Sequence, residues 1–300
     1  MLKTFDLVLL YYDKPDILRN WFHRLNLHSD FGRFISLLTP HIIIADSGTP
    51  LDRVEATLEV IKEQPDHIRQ RIIYARAETE AIRKAAPEGV LVRPQCHAYN
   101  MAVMNISKAD VVIGSIIGHI FSPKYFNGHI AEHIKNERCV VLPRRFDLIC
   151  SDYHINHYMK SWTELKQFPF QPSGGWPDFS VRREHYNAIG GWDEWYTFVS
   201  PADMDFGSRL CGKLDNGAPS QMLFTFKPDY VNLGLDFIQP YREDDILSLT
   251  CSTYSGHKAK SDPEREKGHQ IGNVYYLDNW GKVVRNPNRV PLPYSMRQFS

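Results

Sequence analysis

Asp203 and Asp205 stand two residues apart in Pro201-Ala202-Asp203-Met204-Asp205-Phe206-Gly207-Ser208-Arg209-Leu210. A carboxylate in such a place can take the proton from a hydroxyl nucleophile as its new bond forms. The same pair suits the positive end of a helix, the plainer role for acids in a first helical turn. Asp46 and Ser47 close the run Ile42-Ile43-Ile44-Ala45 and lead into Gly48-Thr49-Pro50. An acid there lies where open parallel sheets bind ligands, beyond the carboxyl ends of the strands, although Asp-Ser-Gly is also an ordinary turn. His129-Ile130-Ala131-Glu132-His133 puts two histidines one helical turn apart with a glutamate between them, a spacing that can hold zinc and activate water. Trp176, Trp192 and Trp195 can form an apolar platform for a ligand ring, or simply fill a core. Basic side chains gather at Arg144-Arg145, Arg182-Arg183, and Lys258 and Lys260 beside His257, and each group also reads as solvated surface.

These groups need a scaffold, and the first half of the chain alternates short β-branched runs with helical patterns, the signature of βαβ units and a mostly parallel sheet. Residues 5–11 read as the first strand. Pro15 suits the first turn of a helix that carries Ile17, Leu18, Trp21, Phe22 and Leu25 at helical spacing. Residues 41–45 and 71–74 read as further strands, with a helix through Val54, Leu58 and Ile61 between them. A helix is expected over 97–106, a central strand over 109–115, a helix from Ser122-Pro123, and a strand at 139–142. From there to about residue 178 the pattern loosens into aromatic, Gly- and Pro-containing sequence, as function-carrying loops do. Charge and proline rise from residue 236, so the expected organisation is a domain over 1–235 and a C-terminal extension over 236–300 that wraps the core or covers its site.

The 300 residues hold 35 basic and 35 acidic side chains, a formal charge of zero. That balance argues against a histone-like nucleic-acid binder, which needs a basic excess. With 43% hydrophobic residues the chain can build a large core. Its five cysteines, Cys96, Cys139, Cys150, Cys211 and Cys251, are widely spaced and never form a C-x-x-C pair, which fits a reducing compartment better than a disulfide framework. Asp6 interrupts the first apolar run and no small-residue cleavage site follows it, so the run reads as a strand and not a signal peptide. Residues 111–121 fall short of the roughly 20 that span a bilayer. The expectation is a soluble, cytoplasmic protein.

Three ordered segments carry a family resemblance: Ile42-Ile43-Ile44-Ala45-Asp46-Ser47-Gly48-Thr49; Ala98-Tyr99-Asn100-Met101-Ala102-Val103 through Ala109-Asp110 to Pro123; and Arg182-Arg183-Glu184-His185-Tyr186-Asn187-Ala188-Ile189-Gly190-Gly191-Trp192-Asp193-Glu194 with the Asp203 segment nine residues later. Together, over about residues 5 to 235, they resemble GT-A glycosyltransferases of the broad family-2 type, which move a sugar from a nucleotide diphosphate to an acceptor. The third segment is the most specific, being similar to the family's R-x-x-[FY]-x-x-[IV]-G-G-[FW]-D-E. The resemblance implies a GT-A, Rossmann-like α/β fold with a mostly parallel central sheet flanked by helices. It implies that Asp46, with Ser47, contacts the nucleoside, that Asn100 helps to position the donor, and that Asp203 is the catalytic base, with Asp205 beside it. Ala202 replaces the glutamate of the family's E-D pair.

The main departure lies in the second segment, where counting from Asp110 and from Pro123 puts the family's metal-binding D-x-D at Ile116-Ile117-Gly118. Both carboxylates are missing. Mn2+ or Mg2+ would then need other ligands, for which His119 and His257 are candidates, or His257, Lys258 and Lys260 would stabilise phosphate oxygens directly. The expected partner is a nucleotide-sugar, UDP-linked before GDP-linked, with an acceptor hydroxyl on a glycan, lipid, protein or modified nucleic-acid base. Two other classes stand beside this one: a GT-A-like module that binds a nucleotide or glycan without turnover, and a zinc metallopeptidase of the H-x-x-E-H type built on His129, Glu132 and His133.

Overall fold

The structure, a computed structural model, describes residues 3–85, 88, 92, 94–148, 162–165, 167, 170–173, 178–197, 202–211, 232–239, 247–250, 267, 270–271, 282–286 and 289–299. In chain order the first elements are β1 (Phe5–Tyr11), α1 (Pro15–Asn26), α2 (Ser29–Leu38), β2 (Ile42–Asp46), α3 (Val54–Lys62), α4 (Asp66–Arg69), β3 (Ile72–Ala77), α5 (Glu80–Ala85) and α6 (Gln95–Asn100). A π-helical turn (Met101–Ile106) leads to β4 (Val111–Ile116), β5 (His119–Phe121), α7 (Tyr125–Lys135), β6 (Cys139–Val141) and β7 (Arg144–Leu148). Then come α8 (Trp162–Leu165), β8 (Phe170–Ser173), β9 (Phe179–Arg182), α9 (Arg183–Ala188), α10 (Ala202–Cys211), β10 (Asp236–Ile238), β11 (Leu247–Thr250) and β12 (Tyr294–Gln298).

The eight-stranded sheet has the order β10-β6-β9-β4-β1-β2-β3-β12, and β9 and β12 run against the other six strands. Strands buried on both faces should be apolar throughout, and all seven residues of β1 are buried. Alternation then divides the core in two. Leu7, Leu9 and Tyr11 join Trp21, Phe22, Phe31, Phe34, Ile113 and Phe126 on one face, while Val8 and Leu10 join Tyr99, Val112, Phe179, Trp192 and Phe206 on the other. α1 starts with Pro15 at its first position and buries Leu18, Trp21, Phe22 and Leu25, the apolar stripe that the spacing predicts.

The expected helix over 97–106 splits. Its first part is α6, and its second is a wider π turn closed by the amide of Ser107 donating to the Ala102 carbonyl five residues back, at 2.8 Å. Such turns insert one extra residue into a helix and recur at functional sites. Within the region that reads as loosened loop, the chain forms β7 and β8, which with β5 and β11 make a second sheet of order β5-β11-β7-β8. Arg144 and Arg145 open β7 in that sheet. Segments beyond residue 235 enter both sheets, β10 and β12 at the two edges of the large one and β11 inside the small one.

Tracing β1, β2 and β3 outward in one direction and then returning to β4 on the other side of β1 makes a switch point between β1 and β4. Open α/β sheets bind ligands beyond the carboxyl ends of their strands at such a point. Register places Tyr11 beside Asp46, Asp46 beside Arg76, and Leu10 beside Ile116 along this edge. Among the described residues no helix is long and apolar enough to cross a membrane, and Cys96, Cys139 and Cys211 are free thiols.

Candidate active site at the carboxyl edge of the sheet

Asp46 is fully buried. Its Oδ1 accepts the amides of Gly48 at 3.0 Å and Thr49 at 2.9 Å and the Thr49 hydroxyl at 3.0 Å, and its Oδ2 accepts the Tyr74 hydroxyl. Burial pushes its carboxyl above the ordinary carboxylate range. With both oxygens committed to the turn, Asp46 shapes the edge from inside, which differs from the nucleoside contact that the resemblance implies. Ser47 donates its amide at 3.0 Å and its hydroxyl at 3.2 Å to the Tyr11 carbonyl, tying the β2 turn to β1. Gly48 has φ of 101°, and a Cβ there would lie 2.0 Å from Thr79 Oγ1, so the turn requires glycine.

Two side chains on this edge escape the motif reading. Tyr12, just past β1, is 41% exposed and carries the Arg83 guanidinium 5.0 Å above its ring. Arg83 also donates to the Ser47 carbonyl at 3.4 Å. The signal for Tyr12 was available, since it is the aromatic residue that follows the first strand. Arg83 becomes legible only once α5 is folded against the β2 turn.

At the end of β4, Ile116 and Ile117 present hydrocarbon, and Gly118 turns the chain with φ of 98°. These residues do not fit a divalent ion. The next residue, His119, has Nδ1 2.7 Å from Asp178 Oδ2, while Asp178 Oδ1 accepts the Ser115 hydroxyl. Asp178 reaches this strand end because β9 runs antiparallel to β4, with Gly114 opposite Phe179. Ser115, His119 and Asp178 are all buried. Among the described residues, no group of three or more His, Cys, Asp or Glu side chains could hold a metal ion. His257, Lys258 and Trp176 lie outside the described residues.

The Gly190–Glu194 turn is built around Asn100. This side chain is fully buried, and its Oδ1 accepts the Tyr186 hydroxyl at 2.7 Å and the Trp192 amide at 2.9 Å. Its Nδ2 donates to the Trp192 carbonyl at 2.7 Å and to Glu194 Oε1 at 3.0 Å. Four bonds saturate an asparagine. Asn100 therefore holds the motif turn, a correction to its expected contact with the donor. Gly191, with φ of 69°, leaves the space that Asn100 fills, since a Cβ there would sit 2.2 Å from Asn100 Oδ1.

Trp192 is also corrected. It is 4% exposed and lies between Tyr99, with ring centroids 5.6 Å apart at 14°, and Phe206, at 4.3 Å and 6°. It is a core aromatic and cannot present a face to an acceptor. Trp195 is 38% exposed and meets Tyr196 edge-on, so it keeps the surface that a platform needs.

Asp205 is fully buried, with Oδ2 2.8 Å from Arg209 Nε and Oδ1 2.8 Å from Arg285 Nη2. With both oxygens taken up by guanidinium groups and no exposed surface, Asp205 has no face to offer a reacting hydroxyl, so its expected catalytic role becomes a scaffold role. Asp193 faces Arg285 Nε at 3.0 Å, and Glu194 faces Arg289 Nε at 2.6 Å. Asp203 sits in the first turn of α10 and is half-buried.

The peptidase reading fails on side-chain direction. His129 and His133 are fully buried under α7, where His129 Nδ1 lies 2.7 Å and His133 Nε2 2.8 Å from the Ser180 hydroxyl of β9. Glu132 turns away to Lys135 at 2.8 Å. The i,i+4 spacing that resembles zinc chemistry here joins a helix to the sheet. Burial pushes the imidazoles down, to about 3 for His129 and about 4 for His133. Both stay neutral in the folded protein, whereas the unfolded chain takes up protons below about pH 6.5. Stability attributable to the pair is therefore full above that pH and falls as pH drops from 6.5 towards 4, by about 1.4 kcal/mol per pH unit per histidine. Urea unfolding at pH 7, 5.5 and 4.5 is expected to show a smaller pH slope for His129→Gln than for the wild type. Equal slopes would contradict the burial account.

No family model and no curated protein sequence matches the chain. Solved structures similar to it include a mycobacterial protein, 14% identical over 83% of this chain and 65% of that one, with a TM-score of 0.42. Another is GalNAc-T7 with UDP, GalNAc and Mn2+, 10% identical over 83% of this chain and 43% of that one, TM-score 0.46. A third is glucosyl-3-phosphoglycerate synthase from Mycobacterium tuberculosis in complex with Mn2+, UDP and phosphoglyceric acid, 13% identical over 62% and 58%, TM-score 0.37. The chain spans between 43% and 65% of the length of these three proteins.

Proposed function

We propose that the chain is a glycosyltransferase of GT-A type, with residues 1–235 as the transfer domain and 236–300 as an extension that wraps it or covers the donor site. The nucleotide-sugar, UDP-linked before GDP-linked, lies along the carboxyl edge between β1 and β4. Asp203 takes the proton of an acceptor hydroxyl on a glycan, lipid, protein or modified nucleic-acid base. The acceptor oxygen attacks the anomeric carbon with inversion, the bond from that carbon to the diphosphate oxygen breaks, and the nucleoside diphosphate leaves with the electron pair. No step passes through a metal, because Ile116, Ile117 and Gly118 offer no ligand. Arg83 and the bases His257 and Lys258 are the cations suited to the developing negative charge, and Trp195 and Trp176 are the candidates for the acceptor platform.

One observation carries this reading. Asp203 is half-buried in the first turn of α10, and Arg285, which reaches both Asp193 and Asp205, fixes that helix to the Gly190–Glu194 turn. A thermal-shift panel of UDP- and GDP-sugars, with and without manganese, tests donor binding. A donor at a hundredfold its Kd stabilises the fold by about 2.7 kcal/mol, so a shift with UDP-sugars in chelator is the expected outcome. No shift with any nucleotide-sugar would reject the reading, and binding without turnover would favour the GT-A-like binding module.

A further inference from the structure

Behind the motif turn, the C-terminal segment makes contacts that the proposed chemistry does not use. Arg285 is 4% exposed and reaches two elements at once, Asp193 in the turn at 3.0 Å and Asp205 in α10 at 2.8 Å. Its amide donates to the Ile189 carbonyl at 3.0 Å, and its own carbonyl fills the space beside Gly190, where a Cβ would lie 2.0 Å away. Asn286 Nδ2 donates to the carbonyls of Gly190 and Trp192, each at 2.8 Å, and its Oδ1 accepts the Glu194 amide at 3.1 Å. Arg209 completes the chain from the other side, donating from Nη1 to the Ile189 and Gly191 carbonyls at 2.8 Å.

We propose that residues 282–286, with Arg289, form a strap that positions Asp203, with Arg285 as the positioning residue that fixes α10 against the Gly190–Glu194 turn. The inference rests on the reading of Asp203 as the base. Asp205 is two residues beyond Asp203 in the same helical turn, so holding both Asp205 oxygens sets where that turn points. The strap touches none of the reacting atoms. A misplacement of about 1 Å in a catalytic group costs about 10²-fold in rate, so the strap should act on turnover and leave donor affinity nearly unchanged. A buried charge bridge also ties the far end of the chain to its centre, which neither the strap's sequence nor the motif's reveals alone.

The test is a double-mutant cycle in the full-length protein. Arg285→Lys keeps a cation but loses the fork, and Asp193→Asn keeps the shape but loses one charge, so the pair guards against one variant simply failing to fold. Each is expected to lower kcat by about 10-fold or more with donor KM unchanged, and to add nothing once Asp203 is already asparagine. Unchanged kcat in both, or a loss that multiplies fully with that of Asp203→Asn, would overturn the proposal. Hydrogen exchange supplies a readout that needs no activity. Amides of α10 are expected to exchange faster in Arg285→Lys while those of α7 do not, and unchanged exchange in α10 would also overturn it. Wild-type turnover in Asp203→Asn alone is a distinct result, because it removes the base reading itself.

Discussion

Replacing Asp203 by asparagine is expected to lower sugar transfer by about 10²–10⁴-fold, the range that a positioned general base supplies, with little change in stability. Asp203 is half-buried in the first turn of α10, where an asparagine keeps the size of the side chain and loses its basicity. A negative charge in a first helical turn contributes about 0.3–1 kcal/mol through the helix dipole, which is too little to unfold the chain. The two roles therefore separate cleanly. A helix-end acid predicts a small loss of stability and normal turnover, whereas a base predicts near-complete loss of turnover in a folded protein. Steady-state kinetics beside a melting curve checks both, and donor KM should stay close to that of the wild type because the base acts on the acceptor.

The second large effect is structural. Asn100→Ala removes at one stroke the four bonds of its Oδ1 and Nδ2, leaving the Tyr186 hydroxyl and the Trp192 amide without this acceptor in a buried site and the Trp192 carbonyl with Asn286 as its donor. Each buried polar group left unsatisfied costs about 1–3 kcal/mol, so the total is about 3–5 kcal/mol after relaxation, at the upper end for a single substitution. Asn100→Asp keeps the two accepted bonds and puts a charge opposite Glu194, and is expected to fall between the wild type and alanine. Chemical denaturation of the three proteins measures the order. An alanine variant as stable as the wild type would mean that the turn holds itself.

The difference between these two residues explains what was legible in the chain. Patterns of burial were readable: β-branched runs buried on both faces gave the strand positions of β1 to β4, and Pro15 with its apolar stripe gave α1. Motif spacing was readable too, since the turn at Gly190–Gly191 needs positive φ at both positions. The direction of a side chain was not. Asn100, Trp192, Asp46 and Asp205 sit where the resemblance puts functional residues, yet each points inward, because a saturated hydrogen-bond hub and a ligand contact call for the same residue types. His129 and His133 show the same ambiguity, their helical spacing serving Ser180 and not zinc. Partners distant in the chain were also invisible. Asp178 reaches β4 only through antiparallel β9, and Arg285 and Arg289 reach the motif only after the C-terminal segment folds back, 80 residues beyond Asp205 in the case of Arg285. The apolar Ile116-Ile117-Gly118 end of β4 was legible from the sequence.

Release of nucleoside diphosphate from a UDP-sugar in the presence of acceptor, measured in EDTA and again with manganese, tests most directly whether this edge transfers sugar without the missing acids. The expected result is release at comparable rates in the two conditions, lost in Asp203→Asn. Release that appears only with manganese, or none from any UDP- or GDP-sugar, would contradict it.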